Sequence, residues 1–223
     1  MNIRNALLVL LIFSVKPTFL AAQVYFTKNG SVSFFSKTIL ENITATNNET
    51  ISILNSQTGE IQFSLLNNGF HFPKAKMEED FNEDYMESEK YPRSTFKGII
   101  SDINKIDFNN DGTWAVTVTG DLQIHGITKT ISVPGKISII NGKINAAATF
   151  TVPIKDYNIK IPSIVSNKIS EKITISVNCL YQKKSKIFYA LRENNSNYFF
   201  IPHYFSCKNF CTRHFKSYQS IRE

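Results

Sequence analysis

Histidine and cysteine are scarce where a catalytic or metal site would need them. Of the four histidines and three cysteines in 223 residues, only His71, His125 and Cys179 fall within 23–182. That segment also lacks a G-x-S-x-G elbow, a phosphate-binding P-loop and a G-x-G-x-x-G dinucleotide loop, the sequence marks of a nucleophile or of a nucleotide site. After residue 22 no run of eighteen apolar residues occurs, so no spanning helix is expected in the mature chain, which should be soluble. Net positive charge is missing from the body as well. The chain carries +7 overall, but residues 183–223 supply +6, residues 1–22 supply +2, and 23–182 is left at −1. A nucleic-acid footprint needs a basic face, and the body has none to offer.

The two ends differ from the body. Arg4, an apolar run over 6–15 and the small pair Ala21-Ala22 before Gln23 form a secretory signal. The run is too short to span a bilayer as a helix. A signal peptide is therefore expected over 1–22, with the mature chain periplasmic or secreted. No cysteine follows Ala22, so a lipid anchor is not expected. Residues 183–223 hold eight basic side chains and ten aromatics without alternation or helical period. His203, Cys207, Cys211 and His214 lie there in an H-x3-C-x3-C-x2-H order. Zinc, a disulfide formed after export, or no chemistry at all are open readings of that order. The segment is expected to be an atypical basic, aromatic tail outside the folded body.

What the body does have is alternation. In 114–129, Trp114, Val116, Val118, Leu122 and Ile124 share one parity, and Thr117, Thr119, Asp121 and His125 the other. A period of two gives a strand with one apolar and one wet face. Gly120 predicts a bulge or sharp bend, and His125-Gly126 a turn into a second strand through Ile127, Ile131 and Val133. A Pro134-Gly135 break precedes 136–140, and Asn141-Gly142 reads as a hairpin turn. Ile144, Ala146, Ala148, Phe150, Val152 and Ile154 then alternate strictly, the alanines keeping that strand slim. Residues 155–167 read as a polar loop. Ile173, Ile175, Val177, Cys179 and Tyr181 give the last strand, with Cys179 a small buried hydrophobe.

Earlier elements are shorter. Asn29-Gly30 predicts a hairpin between 24–28 and 31–37. A strand is expected over 39–46, then an N-cap at Asn47-Asn48 opening a short helix over 49–55. Thr58-Gly59 turns the chain into a strand over 60–66. The sequons at Asn42 and Asn48 matter only in a host that glycosylates. Met77, Phe81 and Tyr85 recur every fourth residue amid seven acids, one stripe of an amphipathic helix over 74–89 with a solvated acidic face. A strand is expected over 94–103. The DFNNDG stretch over 107–112 opens like a calcium loop but has Val118 where the bidentate glutamate belongs, and reads as a hairpin turn.

Some eight or nine alternating strands separated by turns suit a closed barrel, and a barrel of about eight strands can hold one apolar ligand. Three separated blocks, 77–98 (MEEDFNEDYMESEKYPRSTFKG), 120–137 (GDLQIHGITKTISVPGKI) and 150–178 (FTVPIKDYNIKIPSIVSNKISEKITISVN), resemble the YceI-like family of lipid- or polyisoprenoid-binding proteins. The resemblance implies an all-β, extended lipocalin-like antiparallel barrel of about eight strands over 23–182, exported, with a cavity for an isoprenoid or fatty-chain lipid. One departure is Asp80, where the family often has a histidine in M-x-x-H-F; a carboxylate there would disfavour an anionic head group.

The function expected is that of a non-enzymatic carrier without cofactor or metal. Its cavity wall would be Phe63, Leu65, Phe96, Trp114, Val116, Val118, Ile124, Phe150, Ile173 and Ile175, and its lid Met77, Phe81 and Tyr85. A homodimer is compatible with this, and a partner nucleic acid is not. Two alternatives come from other classes: a ligand-free structural or stress-response interaction protein, and a hydrolase or isomerase using His125 with Asp156 or Asp121.

Overall fold

Strands with one apolar face and no large layer of helices to cover it can hide that face by curling into a sheet closed on itself, which also removes the exposed edges. The computed structural model describes residues 23–183 and has this closure. Eight strands follow in order: β1 (Val24–Lys37), β2 (Asn42–Asn55), β3 (Glu60–Leu66), β4 (Arg93–Ile100), β5 (Gly112–Ile124), β6 (Ile127–Ile140), β7 (Lys143–Pro153) and β8 (Lys172–Lys183). Each pairs antiparallel with the next, and β8 returns to β1 with Phe34 opposite Ile175. The fold is the all-β barrel expected, with one short helix, α1 (Ala75–Asp80), continued by a π-helical turn over Phe81–Tyr85.

The pair built on 114–129 forms as read. β5 and β6 stay in register from Gly112↔Ile139 to Ile124↔Ile127. His125 and Gly126 turn the chain with φ of 51° and 74°. Asn141 and Gly142 do the same between β6 and β7 with 51° and 70°. Two successive positive φ values match the right-handed twist of the flanking strands. Gly120 makes no bulge: it faces Gly98 across an unshifted register inside a continuous strand, and a Cβ on Gly120 would overlap Gly98 Cα and the Lys97 carbonyl. Two backbones approach this closely only where neither residue carries a side chain. Pro134-Gly135 does not break β6, because Pro134 pairs with Thr117 and Gly135 with Val116 inside the ladder.

Three expectations in the first half are corrected. Asn29-Gly30 is not a hairpin turn: β1 runs through it, and the register with β2 shifts on both sides of Gly30. The Gly30 backbone presses on β8 so closely that a Cβ would lie 2.5 Å from Cys179 Sγ. No helix forms over 49–55, which is part of β2. Asn47 does cap a backbone N–H, as expected of an N-cap, but at an irregularity in β2. Its Oδ1 accepts from Glu49 N at 2.9 Å, while its buried Nδ2 donates to the Leu66 carbonyl at 2.9 Å. DFNNDG closes a longer 101–111 connection instead of making a tight turn. Asp107 accepts from Asn109 N and Asn110 Nδ2, and Asp111 from the Asn141 and Gly142 N–H groups.

The barrel is closed at one end by its own side chains. Tyr25, Leu54, Ile61, Ile100, Ile137, Ile139, Ile144, Cys179 and Tyr181 form one buried cluster there. Phe108 of the 101–111 connection stacks on Tyr25 at 5.9 Å. Ser52 Oγ donates to the Gln62 carbonyl at 2.8 Å, so the Tyr181 hydroxyl donates to Ser52 Oγ, at 2.6 Å. Burial pushes the Cys179 thiol up to about 12 and raises Tyr181 as well. The other end, reached by the 38–41, 67–92, 125–126 and 154–171 connections, is the mouth.

Two outcomes follow. Gly120→Val, which forces a side chain between two strand backbones, lowers the unfolding free energy in urea by about 3 kcal/mol, while the outward Thr117→Val changes it by less than about 0.5 kcal/mol. Cys179 in the folded protein resists a thiol reagent at pH 8, shown by peptide mapping, and reacts once denaturant is added. Its raised pKa stabilises the fold below about pH 9, and that contribution is lost as pH rises from about 9 towards about 12.

Candidate functional site

Above the closed end the inward side chains do not meet. They surround a cavity of about 420 Å³, within the range of small-molecule sites, roughly 300–1,000 Å³. Of the ten expected wall residues, Phe63, Leu65, Phe96, Val116, Val118, Ile124, Phe150, Ile173 and Ile175 line it. Trp114 does not. It packs against the closed-end cluster with its indole over Gly112, whose Cβ would lie 2.5 Å from the ring. Its parity is inward, but it lies too near the closed end. Ala146 and Ala148 line the cavity as the slim strand suggested.

The lid residues are also in place. Met77, Phe81 and Tyr85 all line the cavity, as spacing of four on a helix requires. The helical segment is shorter than expected, ending at Tyr85. Phe81 is its anchor, 5.5 Å from Phe34, 5.6 Å from Phe70 and 5.1 Å from Phe72 between ring centroids. Phe34 stacks on it, while Phe70 and Phe72 meet it edge-on and tilted, and aromatic pairs of these geometries add about 0.5–1.5 kcal/mol each beyond area burial. Backbone bonds between Thr46 and His71 staple the incoming chain to β2, and Glu78 Oε2 accepts from Phe72 N at 3.1 Å. Phe34, Phe70 and Phe72 were missed in the sequence. The supposed hairpin at Asn29-Gly30 hid the parity of Phe34, while Phe70 and Phe72 alternate within too short a stretch to read as an element. Tyr157, fully buried and lining the cavity from what looked like a polar loop, left no periodic signal.

Polar groups at the mouth are few and mostly engaged. Asp80 and Glu41 line the cavity, paired with Lys76 at 3.0 Å and Lys74 at 3.2 Å. Ser36 Oγ accepts from Ser170 N, and Ser94 Oγ donates to Asn67 Oδ1. Tyr85 is raised by desolvation first, then by the Asp80 and Asp84 charges. Two seams in the wall are short. β2 and β3 are bonded only from Ile51↔Ser64 to Leu54↔Ile61. β6 and β7 are bonded only from Gly135↔Ala148 to Ile140↔Lys143, and beyond that ladder Ile131–Pro134 and Thr149–Val152 flank an open cleft.

His125 does not line the cavity. Its ring is buried, with Nδ1 3.1 Å from the Tyr157 carbonyl, Nε2 3.3 Å from Glu87 Oε2, and the Tyr91 ring edge-on at 4.4 Å. A carbonyl only accepts, so Nδ1 carries a proton. Neither of the acids expected beside it contacts it: Asp121 accepts from Thr130 Oγ1 on the outer face, and Asp156 is exposed. The histidine ties the β5–β6 turn to the segment after the lid and to the 154–157 turn. Among the described residues its contacts are Tyr157, Glu87 and Tyr91, and none of them is a nucleophile activated beside a cavity.

A closed eight-stranded barrel with an apolar interior and a helix over one end is a recurrent binding architecture, and the comparison with known proteins is specific. The YceI-like domain matches residues 21–180. The chain belongs to the YceI-like family. Two of the solved structures similar to it show the same fold. One is a polyisoprenoid binding domain from Saccharophagus degradans implicated in plant cell wall breakdown, 14% identical with a TM-score of 0.62, covering 73% of this chain and 99% of that one. The other is BcnA of Burkholderia cenocepacia, 15% identical with a TM-score of 0.54, covering 69% and 96%. No curated protein matches the chain in sequence. Family and fold together fix the architecture, a closed YceI-like barrel around an interior cavity.

His125 is expected to matter for stability. His125→Val, which loses both ring contacts and places a β-branched residue at positive φ, lowers stability in urea by about 2–3 kcal/mol; His125→Asn, which tolerates that backbone, costs about 1 kcal/mol. Neither changes the affinity of the cavity for an apolar fluorescent probe by more than threefold.

Proposed function

We propose that this protein is an exported, non-enzymatic carrier that holds a long apolar molecule, an isoprenoid or other lipid chain, inside the barrel. The observation that carries the reading is the continuous apolar cavity of about 420 Å³ beneath a seated helix. Wall atoms that face a void forgo dispersion contacts, and a barrel with no ligand would be more stable with larger residues at Ala146 and Ala148. Keeping those positions small favours an occupant. A chain that buries about 400 Å² of hydrocarbon gains roughly 10 kcal/mol at about 25 cal/mol per Å². Immobilising the chain offsets part of that gain, which leaves affinities in the micromolar range or tighter. The relative described as a polyisoprenoid binding domain supports the ligand class, and the Arg4, 6–15 and Ala21-Ala22 pattern supports export to the periplasm or beyond.

The polar end of the ligand would sit at the mouth. Glu41 and Lys168 line it there with opposite charges, and Asp80, although paired with Lys76, is the acid on the helix over the cavity; that carboxylate favours an uncharged head such as an alcohol over a phosphate. Displacement of an apolar fluorescent probe by prenyl alcohols and prenyl phosphates of equal length tests both statements. The alcohol is expected to bind at least fivefold more tightly. Ala148→Trp, which fills the cavity, is expected to weaken both at least tenfold while the melting temperature holds or rises. Equal binding by wild type and Ala148→Trp would contradict the cavity as the site.

A further inference from the structure

Several of the largest exposed aliphatic side chains stand at the mouth end. Ile39 is 102% exposed, Ile164 86% and Leu40 62%. Ile39 and Leu40 form the tip of the β1–β2 turn, and Ile164 the tip of the 154–171 connection between β7 and β8. The two connections are neighbours, because β1 pairs with β8 as well as with β2, and Ser170 N donates to Ser36 Oγ at 2.9 Å between them. None of the three side chains lines the cavity, yet Ser36, Glu41, Val165 and Lys168 beside them do. The tips therefore stand on the rim of the opening through which a chain would enter.

Charge sorts the same mouth into two sides. The two rim connections and the strand ends that hold them carry Lys37, Lys155, Lys160, Lys168 and Lys172 against Glu41, Asp156 and Glu171. All five lysines are exposed. None pairs with a carboxylate within 4.0 Å among the described residues. The lid connection, 67–92, has seven acids against Lys74, Lys76 and Lys90, each of them ion-paired. Protruding aliphatic tips flanked by unpaired lysines match the chemistry of a bilayer surface, where hydrocarbon lies beneath anionic head groups. They do not match a partner's polar surface, against which Ile39 and Ile164 would have to find deep pockets.

We propose that the rim formed by Ile39, Leu40 and Ile164 docks the mouth onto an anionic lipid bilayer. Docking would bring the cavity opening against the source of its ligand, with the acidic lid turned away from the surface. This rests on the carrier reading, since it supplies the route by which that cavity is loaded. It explains why large aliphatic side chains stand in water at two loop tips, where nothing in the barrel uses them.

The experiment is cosedimentation of the full-length protein with phosphatidylcholine vesicles and with vesicles containing 30% phosphatidylglycerol. Wild type is compared with Ile39→Ser/Leu40→Ser/Ile164→Ser and with Lys37→Glu/Lys160→Glu. All five positions are exposed, so the fold survives, and residues 183–223 are the same in every protein. The aliphatic variant is expected to lose at least tenfold in partitioning to anionic vesicles. The lysine variant is expected to lose at least threefold on anionic vesicles and to change little on neutral ones. Both are expected to keep wild-type affinity for a dispersed apolar probe. Vesicle binding unchanged in the aliphatic variant overturns the proposal while the carrier reading stands. A wild-type dimer that becomes monomeric in the aliphatic variant, without vesicle binding, assigns the rim to a second copy and also overturns it. Failure of the probe to bind any of the proteins removes the carrier reading itself.

Discussion

Closure of the strand ladder is the constraint on which the rest depends. Once β8 bonds to β1, every inward side chain of eight strands shares one enclosed volume, and eight strands enclose about as much as side chains can just fill. Whether the interior is solid or hollow is then decided by side-chain size level by level. At one end, isoleucines, Leu54 and the Tyr181–Ser52 pair fill the bore. Nearer the mouth, Ala148 and Gly135 stand opposite each other where bulk would be needed, and the bore stays open. The same ring of bonds holds both regions, so the solid end can carry the stability that the hollow end gives up.

The mouth is organised by a second interaction. Phe34 is on β1 and Phe70 and Phe72 follow β3. Pairing of β1 with β2, and the Thr46–His71 backbone bonds, bring them together as a seat for Phe81. The lid is thus a packed element with a definite position over the cavity. His125 makes a comparable tie on the other side of the mouth, through Tyr157 and Glu87. A histidine in a sequence with few others invites a catalytic reading. Its partners here are a carbonyl and a carboxylate within the scaffold, which makes it a tie between turns.

Much of this was legible in the sequence where the signal is local. β3, β5, β7 and β8 show a period of two, and eight of the expected wall residues lie on them, with Phe96 on β4. The lid stripe of Met77, Phe81 and Tyr85 was equally clear. Misreadings arose where a distant contact decides the local conformation. Asn29-Gly30 looks like a turn, but the Gly30 backbone is shaped by Cys179, far along the chain. Asn47 looks like a helix cap, but its side chain serves the Leu66 carbonyl of the neighbouring strand's end. Trp114 shows what alternation leaves out: parity tells in from out, while height along the bore depends on strand stagger. The aliphatic tips at Ile39 and Ile164 were invisible for the same reason, since only the topology places two separate loops side by side.

The most direct test of the account is native mass spectrometry of the purified full-length protein, followed by organic extraction and lipid analysis of the same sample. The account predicts a population heavier than the polypeptide by the mass of one prenyl or acyl chain. Extraction should remove that mass, and it should be absent from Ala148→Trp. A wild-type protein that carries no added mass, and takes none up when incubated with prenyl alcohols, would contradict it.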